Sequence, residues 1–314
     1  MDFNQFRKEL EEKMIEKTKD MPGSIQFQMV QKNGGPKHGI IFTPEGSSVG
    51  MTMYAEDGFK HYQEGNSIDK IAEDMAASMA AHSNDLSEWS NVEELFVPEN
   101  IFPVLVPAKG NEGLLEEIPH IPFENLQVIF KFDLQSFVGG GTANVTNHYM
   151  KKQGWDEQRL MEIAMTNPIY RNQIKITPME HLLFGPPDGA AMDDLSNIRE
   201  YEAPMVIVSN AARSYGASAI LDQEAMGRIS DAFQEDFYII PSSVHECIAV
   251  PKSEQPLEEL QAMVQEVNRM AVAPEAWLSD DVYQFDSSAR KITMAGIERD
   301  RDERQTQRQD GPKR

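Results

Sequence analysis

The sequence predicts an α+β protein of two lobes, with antiparallel or mixed sheets covered by helices. Three observations predict it. Helix-period and strand-period segments follow one another without a repeated strand–helix–strand unit. A Pro-rich stretch at 84–125 separates a small N-terminal set of elements (1–83) from a larger C-terminal set (126–297). Residues 298–314 carry charges of both signs and no large apolar side chain, so they predict a disordered tail.

In the first lobe, Phe3, Phe6, Leu10 and Met14 form one apolar stripe over a helix at 3–19. Asp2 with Gln5 resembles a capping box, and Pro22-Gly23 ends the helix. Residues 25–32 and 38–43 read as strands, with Ile25, Phe27 and Met29 alternating with Gln26 and Gln28. Asn33-Gly34-Gly35-Pro36 is turn chemistry between them. A third strand at 49–54 and a short helix at 56–64 follow. Ser67 then caps a helix at 68–82, with Ile68, Ile71, Ala72, Met75 and Met79 on one face.

Within 84–125 the prolines break any long helix, and a short strand is expected at 101–107. Another is expected at 126–134, with Leu126, Val128, Phe130 and Phe132 on one face. Helices are predicted at 143–152, 157–166 and 178–183, then a loop at 185–200. Residues 205–209 and 217–221 read as a hairpin, followed by a helix at 223–234 capped by Asp222. A second strand pair, 237–240 and 244–250, turns at Pro241-Ser242-Ser243. A helix at 256–271 and a hairpin of 282–285 with 291–294 complete the lobe. This order predicts a sheet with helices on one face.

Composition narrows the function classes. The chain has 314 residues, a formal charge of −22 and one Cys. The charge argues against nucleic acid held on a generally basic surface. The lone Cys247 excludes a disulfide framework and fits a reducing interior. There is no secretory signal at the N-terminus and no apolar run of membrane-spanning length, so a cytoplasmic protein without membrane contact is expected. Neither phosphate-cradling glycine fingerprint occurs, and no nucleophile elbow. The seven His residues are dispersed, and His245-Glu246 lacks the second His of a zincin, position 249 being Ala. No cofactor and no metal is expected.

The densest polar group is Ser242, Ser243, His245, Glu246 and Cys247. Ser or Cys with His is the raw material of nucleophilic catalysis. Residues two apart on a strand project in parallel, however, and rarely meet as nucleophile and base. The alternative is a strand histidine held by structural hydrogen bonds beside a turn. Asn210, with Arg213, Ser214 and Tyr215, forms a second polar group in a loop. Asn268, beside Arg269, stands near the end of the 256–271 helix. Asn210, Ser242, Ser243, His245, Glu246 and Asn268 are therefore the candidate lining of a ligand or partner site.

The segments 203–210 (APMVIVSN), 215–221 (YGASAIL) and 236–246 (DFYIIPSSVHE) resemble a bacterial domain-of-unknown-function family, the one numbered 5688. The resemblance continues through 263–268, 272–275 and 278–283, and Thr146-Asn147 matches a middle motif. It covers nearly the whole chain before the tail. It departs at Cys247, where an aliphatic residue is more usual. The resemblance implies a bacterial, cytoplasmic setting and supplies no catalytic residues.

The leading expectation is a non-enzymatic binding or accessory module, its two lobes enclosing a cleft for a protein, peptide or small molecule. One alternative is a hydrolase or transferase with His245 as base. Another is an acidic anti-host or defence-related protein that mimics nucleic acid, although Asp and Glu are scattered rather than patterned.

Overall fold

The computed structural model describes residues 1–47, 50–87, 96–134 and 141–296. The tail expected over 298–314 lies outside the described residues, as does the start of the strand expected at 49. Packing divides the chain into two compact units, residues 1–173 with 273–277, and residues 174–272 with 278 onward.

The first unit opens with α1 (Phe3–Thr18), β1 (Gly23–Lys32), β2 (Gly35–Pro44), β3 (Met51–Tyr54), α2 (Ala55–Gln63) and α3 (Ile68–Ser87). The three strands form an antiparallel sheet in the order β1-β2-β3. Asp2 caps α1 by accepting from the Gln5 N–H at 2.9 Å, and Ser67 accepts from the Lys70 N–H at 3.2 Å. The predicted helix stripes are the core: Phe6, Leu10 and Met14 pack with Ile40, Phe42, Ile71 and Met79. Tyr62 and Phe59 close it around Phe6, with ring centroids 5.3 and 5.2 Å away.

The same unit continues through β4 (Ile101–Pro107), α4 (Glu112–Glu117), β5 (His120–Phe123), β6 (Leu126–Asp133), β7 (Thr142–Asn144), α5 (Asn147–Lys152), α6 (Glu157–Thr166) and α7 (Pro168–Arg171). Here β6 lies between β4 on one side and β5 and β7 on the other, all antiparallel. The Pro-rich stretch is therefore part of a sheet, and the division between units falls after residue 173 rather than at 83 or 125. Pro103 and Pro107 are tolerated because β4 is an edge strand, where a missing N–H need not break a ladder. The helix expected from 143 begins only at Asn147. Residues 142–144 pair with β6 instead, and Thr146 caps α5 by accepting from the Tyr149 N–H at 3.1 Å.

The second unit contains β8 (Ile174–Pro178), α8 (Met179–Phe184), β9 (Val206–Asn210), a 3-10 turn (Gly216–Leu221), α9 (Gln223–Phe233), β10 (Phe237–Ser243), β11 (Glu246–Pro251), α10 (Leu257–Ala271), β12 (Tyr283–Asp286) and β13 (Lys291–Met294). The strands make one antiparallel sheet in the order β13-β12-β10-β11-β9-β8. Leu260 and Val264 of α10 pack with Ile240 and Val250. Phe233 of α9 meets Phe237, which projects from the other face of β10, at 5.8 Å. Helices thus cover both faces, not one. The physical reason is the continuous apolar run from Phe237 to Ile240, which leaves neither face suited to water.

Two expectations are corrected locally. Residues 217–221 are not a strand: Tyr215 adopts a left-handed φ of 55°, the chain turns, and Gly216–Leu221 forms the 3-10 turn. β9 pairs instead with β11 and with β8, a strand that the sequence pattern did not mark. The turn of the second strand pair is not at Pro241–Ser243. Those residues extend β10 across a bulge, and Val244-His245 make the connection to β11.

Candidate functional site

The second unit brings Asn210, Ser243 and His245 together, all around the entry to the 3-10 turn. The Asn210 side chain closes a loop on itself. Its Nδ2 donates to the Ser214 carbonyl at 2.7 Å, and its Oδ1 accepts from the Ser214 N–H at 3.1 Å. That loop delivers Tyr215, whose N–H donates to His245 Nδ1 at 3.2 Å. The two rings lie 5.8 Å apart, tilted by 47°. Ser209 Oγ donates to the His245 carbonyl at 2.7 Å, and the Ala217 N–H donates to the Val244 carbonyl at 3.3 Å. Three bonds thus tie the 244–245 connection to β9 and to the 3-10 turn and its entry.

Gly216 makes this approach possible. A Cβ there would sit 2.4 Å from Ser209 Oγ and 2.6 Å from both the Asn210 nitrogen and the His245 carbonyl oxygen.

A backbone N–H can only donate, so Nδ1 of His245 is an acceptor and its proton is on Nε2. Partial burial holds the imidazole below the ordinary histidine pKa, against an opposing pull from Glu246. The ring is neutral at pH 7 and fixed in one tautomer. A general base needs its lone pair on the nitrogen that faces the nucleophile. Giving Nε2 that lone pair would put a proton on Nδ1, against the Tyr215 N–H.

Ser243 does not supply a nucleophile to this ring. Its Oγ accepts from the His245 backbone N–H at 3.1 Å. Ser242 and Glu246 are half-buried on the flanking strands, and neither side chain bonds the imidazole among the described residues. Cys247 is fully buried, with Sγ 3.9 Å from the Ala217 carbonyl, and burial pushes its thiol pKa well up. Asn268 is engaged elsewhere. Its Nδ2 donates to the Ser279 carbonyl at 2.9 Å and to Asp280 Oδ1 at 2.8 Å, which pins α10 to the segment before β12.

The first unit holds a surface cleft of about 380 Å³ that sequence reasoning missed. Its walls are Arg7 and Glu11 of α1 and Phe27 and Met29 of β1, with His38 and Ile40 of β2 beneath. Arg7 pairs with Glu11 one turn on. The Nε of Arg7 is buried and has no acceptor among the described residues. His38 is fixed by Glu56, which accepts its backbone N–H at 2.9 Å and meets Nδ1 at 2.8 Å. The only signal in the sequence was the Ile25, Phe27, Met29 alternation, which a solvent-covered hairpin would show equally well.

Among the described residues, no group of three or more His, Cys, Asp or Glu side chains is placed to hold a metal ion. None of their helices is long and apolar enough to cross a membrane.

The α+β fold here holds a polar cluster whose bonds tie β9, the 3-10 turn and the 244–245 connection together. The family model described as a family of unknown function (DUF5688) matches residues 3–287, and the chain belongs to that family. Comparison with curated proteins and with solved structures found no match.

Proposed function

We propose that the protein is a non-enzymatic binding or accessory module that acts on a protein or peptide in the bacterial cytoplasm. One observation carries the reading: Nδ1 of His245 is occupied by the Tyr215 N–H, so the residue best placed to be a base holds the fold instead. Cys247 is buried, and the other histidine of this unit, His181, is buried with its ring between the Met192 carbonyl and the Tyr201 hydroxyl. The charge of −22 favours a neutral or basic partner over nucleic acid.

The test has two arms. The purified full chain is assayed against ester, amide and phosphoester substrates beside a folded His245→Gln variant. In parallel, in-cell cross-linking in the source organism is read by mass spectrometry. The reading expects no turnover that the variant abolishes, and a partner cross-linked in saturable, stoichiometric yield. Turnover lost specifically in folded His245→Gln would overturn it in favour of a hydrolase or transferase.

A further inference from the structure

The three-stranded sheet of the first unit ends in an edge strand that lacks the usual protection over residues 23–30. β1 runs ten residues, Gly23–Lys32, and pairs only with β2, in unbroken register from Gly23↔Pro44 to Lys32↔Gly35. Among the described residues, no main-chain group of 24–29 has a partner on the far side. Proteins normally blunt such an edge with lysines, a proline, a bulge or a covering element. Residues 23–31 contain no charge and no proline, and the register carries no bulge. Cover begins only near Gln31, whose side chain packs on Gly113 of α4.

The open edge is also one wall of the cleft. Phe27 and Met29 face the same side of the sheet as Ile40 and His38, their register partners, and Met29 is half exposed. Across from them stands α1, with Arg7, Glu11 and, one further turn on, the half-exposed Ile15. An edge strand beside a helix, with a groove between, is the arrangement that receives an extended peptide as an added strand.

We infer that β1 accepts an extended segment of a partner protein, antiparallel or parallel to 24–29, with alternate apolar side chains of that segment lying in the α1–β1 cleft. This rests on the binding reading above and names its partner class. The main-chain ladder supplies affinity without regard to sequence. The cleft supplies selectivity, since about 380 Å³ admits one or two side chains and not a folded domain. A second copy of this chain is the weaker occupant, because each copy brings a charge of −22 to the junction.

The probe is a displayed library of random dodecapeptides, selected on the full chain. Binders are measured by fluorescence anisotropy and mapped by hydrogen exchange. The inference expects binders with apolar residues at alternate positions, and slowed exchange confined to 24–29 and the adjoining cleft. Met29→Glu changes an exposed side chain on the β1 wall and Ile15→Glu one on α1 a turn beyond the cleft, so the fold survives. Each should weaken binding about tenfold or more. Three results would overturn the inference: a library that yields no binder, binders that protect another segment, or binding unchanged in both folded variants. Protection of 24–29 that appears without peptide, together with a dimer in sedimentation equilibrium, would assign the edge to a second copy and also overturn it. None of these results touches the binding reading, whose own failure shows as His245-dependent turnover or as no cross-linked partner.

Discussion

The backbone N–H of Tyr215 donates to Nδ1 of His245 across 3.2 Å, so a residue in a strained left-handed conformation and an imidazole hold each other in place. The φ of 55° at Tyr215 is a position that non-glycine residues seldom adopt. It persists because the Asn210 side chain bonds both main-chain groups of Ser214 and His245 accepts the Tyr215 N–H. The bond gives the ring a structural task.

Removing that acceptor leaves a half-buried donor unsatisfied. His245→Ala should destabilise the folded chain by about 1–3 kcal/mol. His245→Gln, whose carbonyl can accept from the Tyr215 N–H, should recover part of the loss. Urea denaturation of the three proteins at pH 7 measures both effects.

The same bond sets a pH dependence. The pKa of His245 is lowered on folding, so the unfolded chain binds a proton that the folded one refuses. That raises stability with increasing pH until the unfolded histidine has itself lost the proton, near pH 6.5. Wild type should therefore lose more stability than His245→Gln as pH falls from about 7 to 5. Parallel thermal melts at those pH values read the difference, and equal losses would refute it.

Lys131 on β6 is a second group that is cationic when protonated, and it has the same sign of linkage. Burial, with Lys32 adding to it, brings its pKa down to about 7, and its Nζ lies 2.7 Å from Asn144 Oδ1 on β7. Between pH 7 and 10 the unfolded chain keeps a proton that the folded chain has given up, so stability from this group rises with pH across that window. Lys131→Met should flatten the rise. Melting temperature against pH for the two proteins is the check.

Gly216 stands where three atoms leave no room for a methyl group, two of them backbone. Gly216→Ala should cost about 1–3 kcal/mol through forced displacement. The effect should be smaller in a background that already carries His245→Ala, because loss of the Tyr215 tie lets the 244–245 main chain shift away from position 216. A double-mutant cycle by urea denaturation measures the coupling.

Much of the fold was legible, and the reasons are local. Asp2, Asp156 and Asp222 cap the helices they precede, each accepting the N–H three residues on. Apolar spacing marked the buried faces of α1, α3, α9 and α10. What failed was decided by distant partners. Residues 142–144 became strand because β6 was available, and 217–221 left strand geometry because Tyr215 turned the chain. The polar cluster was visible as a group of residue types, and Asn210, Ser243 and His245 do meet. Its role was not visible, because sequence does not say which imidazole nitrogen faces a backbone N–H. The uncharged run of β1 was equally plain, but which edge of the hairpin stays open depends on where β3 pairs.

The most direct test of the account is the tautomer and titration of His245, read from imidazole nitrogen NMR of the labelled full chain, with His245→Gln used to assign the signal. The account predicts a neutral ring protonated at Nε2, unprotonated at Nδ1, and titrating below pH 6.5. A ring protonated at Nδ1, or one titrating above that value, would contradict it and return His245 to the position of a general base.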